Sequence, residues 1–418
     1  MHALQSAARA CRAALRSRSR RSLNSPDCAA AAPPEVLQVK LVQGIGQIEA
    51  ATWDACVGPD QPFLGHAFLS ALEDSGSAGQ RTGWLPLHLV VERGGELIGC
   101  APMYLKSHSY GEYVFDWGWA NAYERAGGTY YPKLQVAVPF TPVPGPRLLV
   151  RPELGAEARA ALARGLVSAA QELGVSSLHV TFCREPEWHC LGEAGLLKRQ
   201  GVQYHWHNRG YRTFDDFLAT LRSGKRKTIR KERARVAAQD LHIDVLTGDA
   251  LTPEIWDAFY PFYRSTVDKR WGSAYLTKRF FSRLGETMPE RVVLMMARHQ
   301  GRYVAGALNL MGADTLYGRV WGCRREFEFL HFEACYYQAI EFAIDRGLAR
   351  VEAGAQGPHK LQRGYEPVPT YSAHWIRDPG FRDAVERFLV QERREMAFEI
   401  EQLRELLPYR QEHENALP

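Results

Sequence analysis

Apolar residues fall along this chain in one order that occurs twice, roughly 200 positions apart. In the first half an apolar run at 87–91 passes through Gly94 and Gly95 into a second run at 96–105. In the second half a run at 292–297 passes through Gln300 and Gly301 into 302–310. A strand, a glycine turn and a second strand predict a hairpin in each half. An aromatic-rich stretch follows in both, 113–117 and 315–321, and predicts a further strand. Amphipathic spacing then predicts a helix over 156–173, with Leu162, Leu166, Val167 and Ala170 on one stripe and a stop at Gly174. Its counterpart spans 332–345 and stops at Gly347. A short strand follows each helix (177–182 and 350–353), then a shorter helix and a last strand.

Hairpin, strand, helix, strand, helix, strand, written twice, predicts an α/β fold of tandem domains. Each is a mixed twisted sheet with flanking helices. Between the halves the pattern predicts one helix over 214–239, a strand at 243–246, and helices at 255–268 and 275–284. A long C-terminal helix over 381–407 carries Phe381, Val385, Phe388, Leu389, Met396, Ile400, Leu403 and Leu407 on one face. The predicted boundaries are a leader at 1–35, a first domain at 36–205, a second at 206–380 that includes the helix 214–239, and a C-terminal helix and tail at 381–418.

Charge changes this picture at two places. Residues 1–35 hold six arginines, no lysine, and only Asp27 and Glu35 as acids. On a helix Arg9, Arg12, Arg16 and Arg20 line one side and Leu4, Ala8, Cys11 and Leu15 the other. An acid-free, arginine-rich amphipathic start predicts an organelle transit peptide, mitochondrial or plastid, followed by a linker. A basic tail on a cytoplasmic protein is the alternative. The remaining 46 basic and 45 acidic residues nearly cancel, which gives no support to bulk nucleic-acid binding. The second place is the run from Arg222 to Arg235, eight cations opposed only by Glu232. The eight cysteines show no metal spacing and predict reduced thiols. No apolar run is long enough to span a membrane.

Several segments together resemble the FemAB-like peptidoglycan biosynthesis/recognition branch of the GNAT (acyl-CoA N-acyltransferase) superfamily. They are 115–123 (FDWGWANAY), 130–134 (YYPKL), 138–148 (VPFTPVPGPRL), 225–233 (KRKTIRKER) and 352–365 (EAGAQGPHKLQRGY). The resemblance covers about 45–400. It implies tandem GNAT-like domains and transfer of an acyl or aminoacyl group to an amine. The donor would be acyl-CoA or aminoacyl-tRNA, and the acceptor an amine-bearing small molecule or a peptide or glycan precursor. GNAT enzymes usually cradle the coenzyme A pyrophosphate in a glycine-rich turn opening a helix. Residues 149–159 (LVRPELGAEAR) and 322–332 (GCRREFEFLHF) lack that pattern and carry carboxylates, so aminoacyl-tRNA, with tRNA as a partner of the basic helix, stands beside acyl-CoA.

N-acyl transfer needs a base for the amine, a group to stabilise the carbonyl oxygen and a proton for the leaving group. The segment 352–365 supplies Glu352 as base, His359 or Lys360 at the carbonyl, and Tyr365 where the resemblance puts an acid. Arg363 completes the cluster. Ion pairing of Glu352 with Arg350 or Arg363, and a core place for Tyr365, are the alternatives. Asp116, set among aromatics, is a second catalytic candidate whose pKa burial would raise. Tyr130, Tyr131 and Lys133 are read as lining a substrate cleft. Lys225, Arg226 and Arg230 are read as phosphate contacts, and Glu333 as an odd carboxylate on an aromatic helix. A non-catalytic protein of this fold that binds an anionic glycan or nucleotide-linked ligand is the rival function.

Overall fold

The computed structural model of the chain describes residues 37–410 except 272, 273, 355 and 356. The leader and its predicted address lie outside the described residues. The first half contributes β1 (Leu37–Val42), β2 (Trp84–Pro86), β3 (His88–Arg93), β4 (Glu96–Ala101), β5 (Met103–Lys106), β6 (Lys133–Val136), β7 (Leu149–Val150), β8 (Ser177–Cys183) and β9 (Leu197–His207). The second half contributes β10 (Leu241–Leu246), β11 (Val292–His299), β12 (Arg302–Met311), β13 (Thr315–Cys323), β14 (Arg350–Glu352) and β15 (Glu366–Ile376). Both predicted hairpins form, β3 with β4 and β11 with β12. Pro102, which has no N–H to give a ladder, ends β4; β4 joins a four-stranded sheet and β5 an eleven-stranded one.

The large sheet runs β10-β11-β12-β13-β14-β9-β15-β8-β6-β5-β2. Strand β9 closes the first half of the chain yet pairs with β14 of the second. Strand β15 closes the second half yet pairs with β8 of the first. The two also pair with each other, from Glu366 opposite His205 to His374 opposite Leu197. Each half's sheet is therefore completed by a strand of the other. One hydrophobic core likewise joins Phe63, Phe68 and Trp84 of the first half to Trp256, Phe259 and Phe281 of the second.

Three predicted elements differ from those observed. The stretch 113–117 is no strand: Gly111 and Tyr113 both have positive φ, and the chain enters a helix, Trp117–Arg125, directly after Asp116. The helix 214–239 is two helices, Phe214–Thr220 and Ser223–Ala237. They break where Leu221 turns extended and bridges Tyr409, while the Arg222 amide donates to the Pro408 carbonyl at 2.8 Å. The C-terminal helix, Pro379–Glu405, buries Val385, Leu389 and Ile400 but leaves Phe388 50% exposed, so its apolar face is narrower than predicted. Helix 330–345 contains a π turn at Glu333–Tyr337.

Helix Pro253–Trp271 lies on β13 through Gly322, where a Cβ would stand 1.9 Å from the Phe262 carbonyl oxygen. Neither backbone can yield cheaply there. Gly322→Ala is expected to cost about 3 kcal/mol, read by urea unfolding; an unchanged midpoint would mean that the helix is not seated on this glycine.

Candidate functional site

Strands β13 and β14 are parallel and pair at only three positions, Thr315 with Arg350, Leu316 with Val351 and Tyr317 with Glu352. Beyond them β14 ends and β13 runs on to Cys323. The split opens into a cleft of about 470 Å³. Gly318 and Trp321 line it from β13, Ala353 and Gly354 from the end of β14, and Tyr336, His359 and Lys360 from beyond. Tyr113, Tyr263 and Tyr275 line it too.

The first half has the same split, since β6 and β8 are parallel and pair only from Leu134–Leu178 to Val136–Val180. There the chain fills the gap itself. The buried Arg147 guanidinium donates to the carbonyls of Thr181 (2.9 Å) and Val143 (2.7 Å), and the Gly145 amide donates to that of Phe182 (2.9 Å). Glu187 holds this loop in place by accepting from the amides of Arg147 and Leu148. One split is plugged and the other open, which places the candidate site in the second half.

Lys360 is 2% exposed and donates to the Gly354 carbonyl at 3.0 Å. Burial pushes its ammonium down to about 8. His359 shares a hydrogen bond of 2.9 Å with the Tyr336 hydroxyl. Burial first, then Lys360 and Arg363, lowers its pKa and keeps the ring neutral. Glu352 sits one residue before the cleft lining and turns the other way, as strand alternation requires. It lies 3.7 Å from Arg350 and 3.8 Å from His205. Burial pushes its carboxyl up to about 8, and its Oε2 has no hydrogen-bond partner among the described residues.

The remaining candidates separate from this cleft. Tyr365 is fully buried beside Tyr336, with ring centroids 5.5 Å apart, and does not line it. It is a core aromatic, because β15 carries the segment after Gly364 into the sheet. Arg363 pairs with buried Glu232 at 2.9 Å and stacks on Phe332, and Tyr337 also donates to Glu232. Glu333 accepts from Arg233 (3.0 Å) and Gln338 (2.9 Å). These are ties between helices, not substrate contacts.

Tyr130 and Lys133 are 1% and 0% exposed and line no open cleft, contrary to the sequence expectation. The Lys133 ammonium donates to Ser109 (2.7 Å), Glu112 (2.7 Å) and Asp116 (2.5 Å), and the Tyr130 hydroxyl donates to Asp116 at 2.8 Å. Tyr131, half-buried, shares a 2.8 Å hydrogen bond with Ser109. Burial alone would push the Asp116 carboxyl up; Lys133 and His179 beside it reverse that and hold it well below the usual carboxylate range. Asp116 is a structural ion, with the opposite shift to the one expected.

The basic run is less free than it looks in sequence. Asp215 pairs with Arg230 (2.8 Å), Glu341 with Arg233 (2.7 Å) and Glu328 with Arg235 (2.7 Å), all from other elements. Lys225, Arg226, Lys227 and Lys231 keep no carboxylate partner among the described residues. Arg319 was missed. It is a charged residue inside an apolar strand, and its guanidinium donates to the Phe140 carbonyl at 2.6 Å across the halves. That misplaced charge was the signal. Among the described residues no helix is long and apolar enough to cross a membrane, and no group of three His, Cys, Asp or Glu could hold a metal.

The sequence profile of a FemAB-like family, described as peptidoglycan biosynthesis/recognition, matches residues 44–411. No curated protein matches the chain. Among solved structures it is similar to FemX, with 12% identity and a TM-score of 0.52 over 81% of this chain and 98% of that one. It is similar to L-PGS from Bacillus licheniformis, with 10% identity and a TM-score of 0.48 over 80% and 98%. A tandem GNAT protein from the clavulanic acid biosynthesis pathway gives 13% and 0.45 over 82% and 99%. The likeness to FemX bears on the fold alone, an α/β fold of tandem GNAT-like halves.

Proposed function

Because this chain belongs to the FemAB-like peptidoglycan biosynthesis/recognition family, we propose that it transfers an acyl or aminoacyl group to an amine. The observation that carries the reading is the open split between β13 and β14, with Lys360 and His359 on its wall. In this reading the amine nitrogen attacks the donor's carbonyl carbon and passes its proton to neutral His359, held by Tyr336. Lys360, as the ammonium, faces the negative charge that develops on the carbonyl oxygen, in a setting where such charge is costly without a donor. The bond to the carrier then breaks, and the carrier leaves with the proton that His359 took from the amine. Glu352 lies behind the strand and acts, in this reading, on the electrostatics of the split rather than on the amine.

Of the two donors, aminoacyl-tRNA fits better than acyl-CoA. The segment opening helix 330–345 carries Glu326 and Glu328 and no glycine, a poor cradle for a pyrophosphate. The four cations on Ser223–Ala237 that have no carboxylate partner among the described residues offer phosphate contacts instead. Those same cations favour the rival reading, a non-catalytic protein that binds an anionic glycan or nucleotide-linked ligand.

The test is a thermal shift of the full chain with coenzyme A, acetyl-CoA, a longer acyl-CoA and aminoacyl-tRNA. A ligand at a hundred times its Kd stabilises by about 2.7 kcal/mol. Aminoacyl-tRNA is expected to raise the Tm, and Arg226→Glu with Lys227→Glu to remove that shift and its salt dependence. A shift with acyl-CoA alone would move the donor assignment to coenzyme A. No shift with any donor would leave the binding-protein reading standing.

A further inference from the structure

A second cleft, of about 350 Å³, lies on the first-half side of Tyr113 and Tyr275, and these two residues line both clefts. Their hydroxyls meet at 3.1 Å, so the wall between the clefts is one hydrogen-bonded pair of tyrosines. Phe140 lies flat against Tyr275, with centroids 4.5 Å apart and planes at 19°. Tyr113 and Phe140 both have positive φ, 61° and 59°. For bulky side chains that conformation is strained and persists only where neighbours enforce it.

The neighbours are visible. The Phe140 amide donates to the Gly111 carbonyl at 3.2 Å, and a Cβ on Gly111 would strike the Phe140 ring at 2.5 Å. Buried Lys106 and the Trp84 indole both donate to the Tyr110 carbonyl, at 3.1 and 3.2 Å. The loop 110–113 is thus fixed from below, and its strained aromatics are held at the wall rather than relaxed into the core.

At the mouth stand two exposed aromatic rings, Phe115 at 43% and Tyr110 at 57% exposure, the latter edge-on to Trp117 with centroids 4.8 Å apart. Exposed aromatics beside a concave site offer faces for a flat ring. Arg81 lines the same mouth, exposed and without a carboxylate partner among the described residues. His108, also on the wall, is neutral: burial, then Lys106, pushes it down to about 4. The cleft therefore presents aromatic faces and, among the described residues, one cation without a carboxylate partner.

We propose that this second cleft binds a flat-ringed molecule bearing an anionic group, and that this molecule is the acceptor, its amine reaching Lys360 and His359 past the Tyr113–Tyr275 pair. The role of acceptor rests on the transfer reading; binding in the cleft does not.

The probe is 1-anilinonaphthalene-8-sulfonate, a flat-ringed anion, titrated into the full chain by fluorescence. Arg81→Glu is expected to weaken saturable binding about tenfold, with Arg81→Lys close to wild type. Lys360→Met in the first cleft, and Phe388→Ser on the exposed face of the C-terminal helix, should leave it unchanged. Wild-type affinity in Arg81→Glu, loss of binding in Phe388→Ser, or no saturable binding at all would overturn the site. Where transfer is measurable, the probe should raise the KM of the acceptor and not of the donor. A probe that binds through Arg81 yet leaves the acceptor KM unchanged removes the acceptor role and keeps the site. A chain that transfers nothing fails the transfer reading, and the titration still decides the cleft.

Discussion

Lys360→Met is expected to fold as well as the native chain and to lose at least about a hundredfold in kcat/KM for acyl transfer. Removing one preorganised donor to a developing oxyanion costs of that order. The folding expectation has its own reason. Lys360 is buried with a carbonyl, not a carboxylate, as its partner, and burial has already pushed it down to about 8. A methionine of similar volume removes a buried charge without leaving an opposite one stranded. The Tm should therefore hold or rise while activity falls. The pH profile carries the same claim. If the ammonium is the working form, kcat/KM falls as pH rises through about 8. Lys360→Arg, which stays charged, should move that alkaline limb upward even if its rate is lower. Steady-state rates between pH 6 and 10 with the donor that shifts the Tm decide it. A Met variant within threefold of native, or an alkaline limb untouched in the Arg variant, would remove Lys360 from the chemistry.

Which parts of this could be read in advance follows from how local each signal is. The two hairpins rest on glycine turns within a few residues of the strands they join, and both form. Helix Gly155–Glu172 follows a 3.6-residue apolar stripe and ends where Gly174 says it should. The exchange of β9 and β15 has no such signal, since their partners lie up to 195 residues away, as His179 and His374 show. The break between the two helices at Leu221 comes from Tyr409, again remote in sequence. Aromatic content misled at 113–117, where positive φ at Gly111 before it and at Tyr113, its first residue, and a helix-favouring ANAYER run at 120–125 after it outweighed β propensity. In the site, His359 and Lys360 were legible because a glycine-rich turn and a charged pair sat together. Tyr365 was not placed correctly, because the face it takes depends on where β15 docks. The plug that closes the first split could not be read either, since Arg147 acts through carbonyls that folding alone brings near.

Lys133→Met is expected to be the most destabilising single change in the first half, about 3–5 kcal/mol, although it touches no cleft. Its ammonium serves two buried carboxylates at once, Glu112 at 2.7 Å and Asp116 at 2.5 Å. Without it both remain buried, and among the described residues the one Lys or Arg still paired with either is Lys106, 3.7 Å from Glu112. Asp116→Asn should cost less, about 1–2 kcal/mol, because Lys133 keeps Glu112 and the amide can still accept from Tyr130. Urea unfolding of the two variants tests the order, and a milder Lys133 variant would sink the account. Acid sensitivity should separate them further. His179 and His374 share a 2.7 Å hydrogen bond between their Nδ1 atoms, which requires one ring to donate and the other to accept, so the accepting ring is neutral. Burial first, then Lys133, pushes His179 down to about 3; burial, then His179 and Arg199, holds His374 well below its ordinary value, while Asp116 pulls both upward. The unfolded chain takes up protons at these residues near pH 6.5 and the folded chain does not. Their contribution is thus complete above 6.5 and is lost as pH falls, at up to about 1.4 kcal/mol per unit for each ring. Removing Lys133 takes a cation from beside both histidines and lets their pKa values rise. The loss of stability between pH 7 and pH 5 should therefore be smaller in Lys133→Met than in the native chain, even though the variant starts from a lower value.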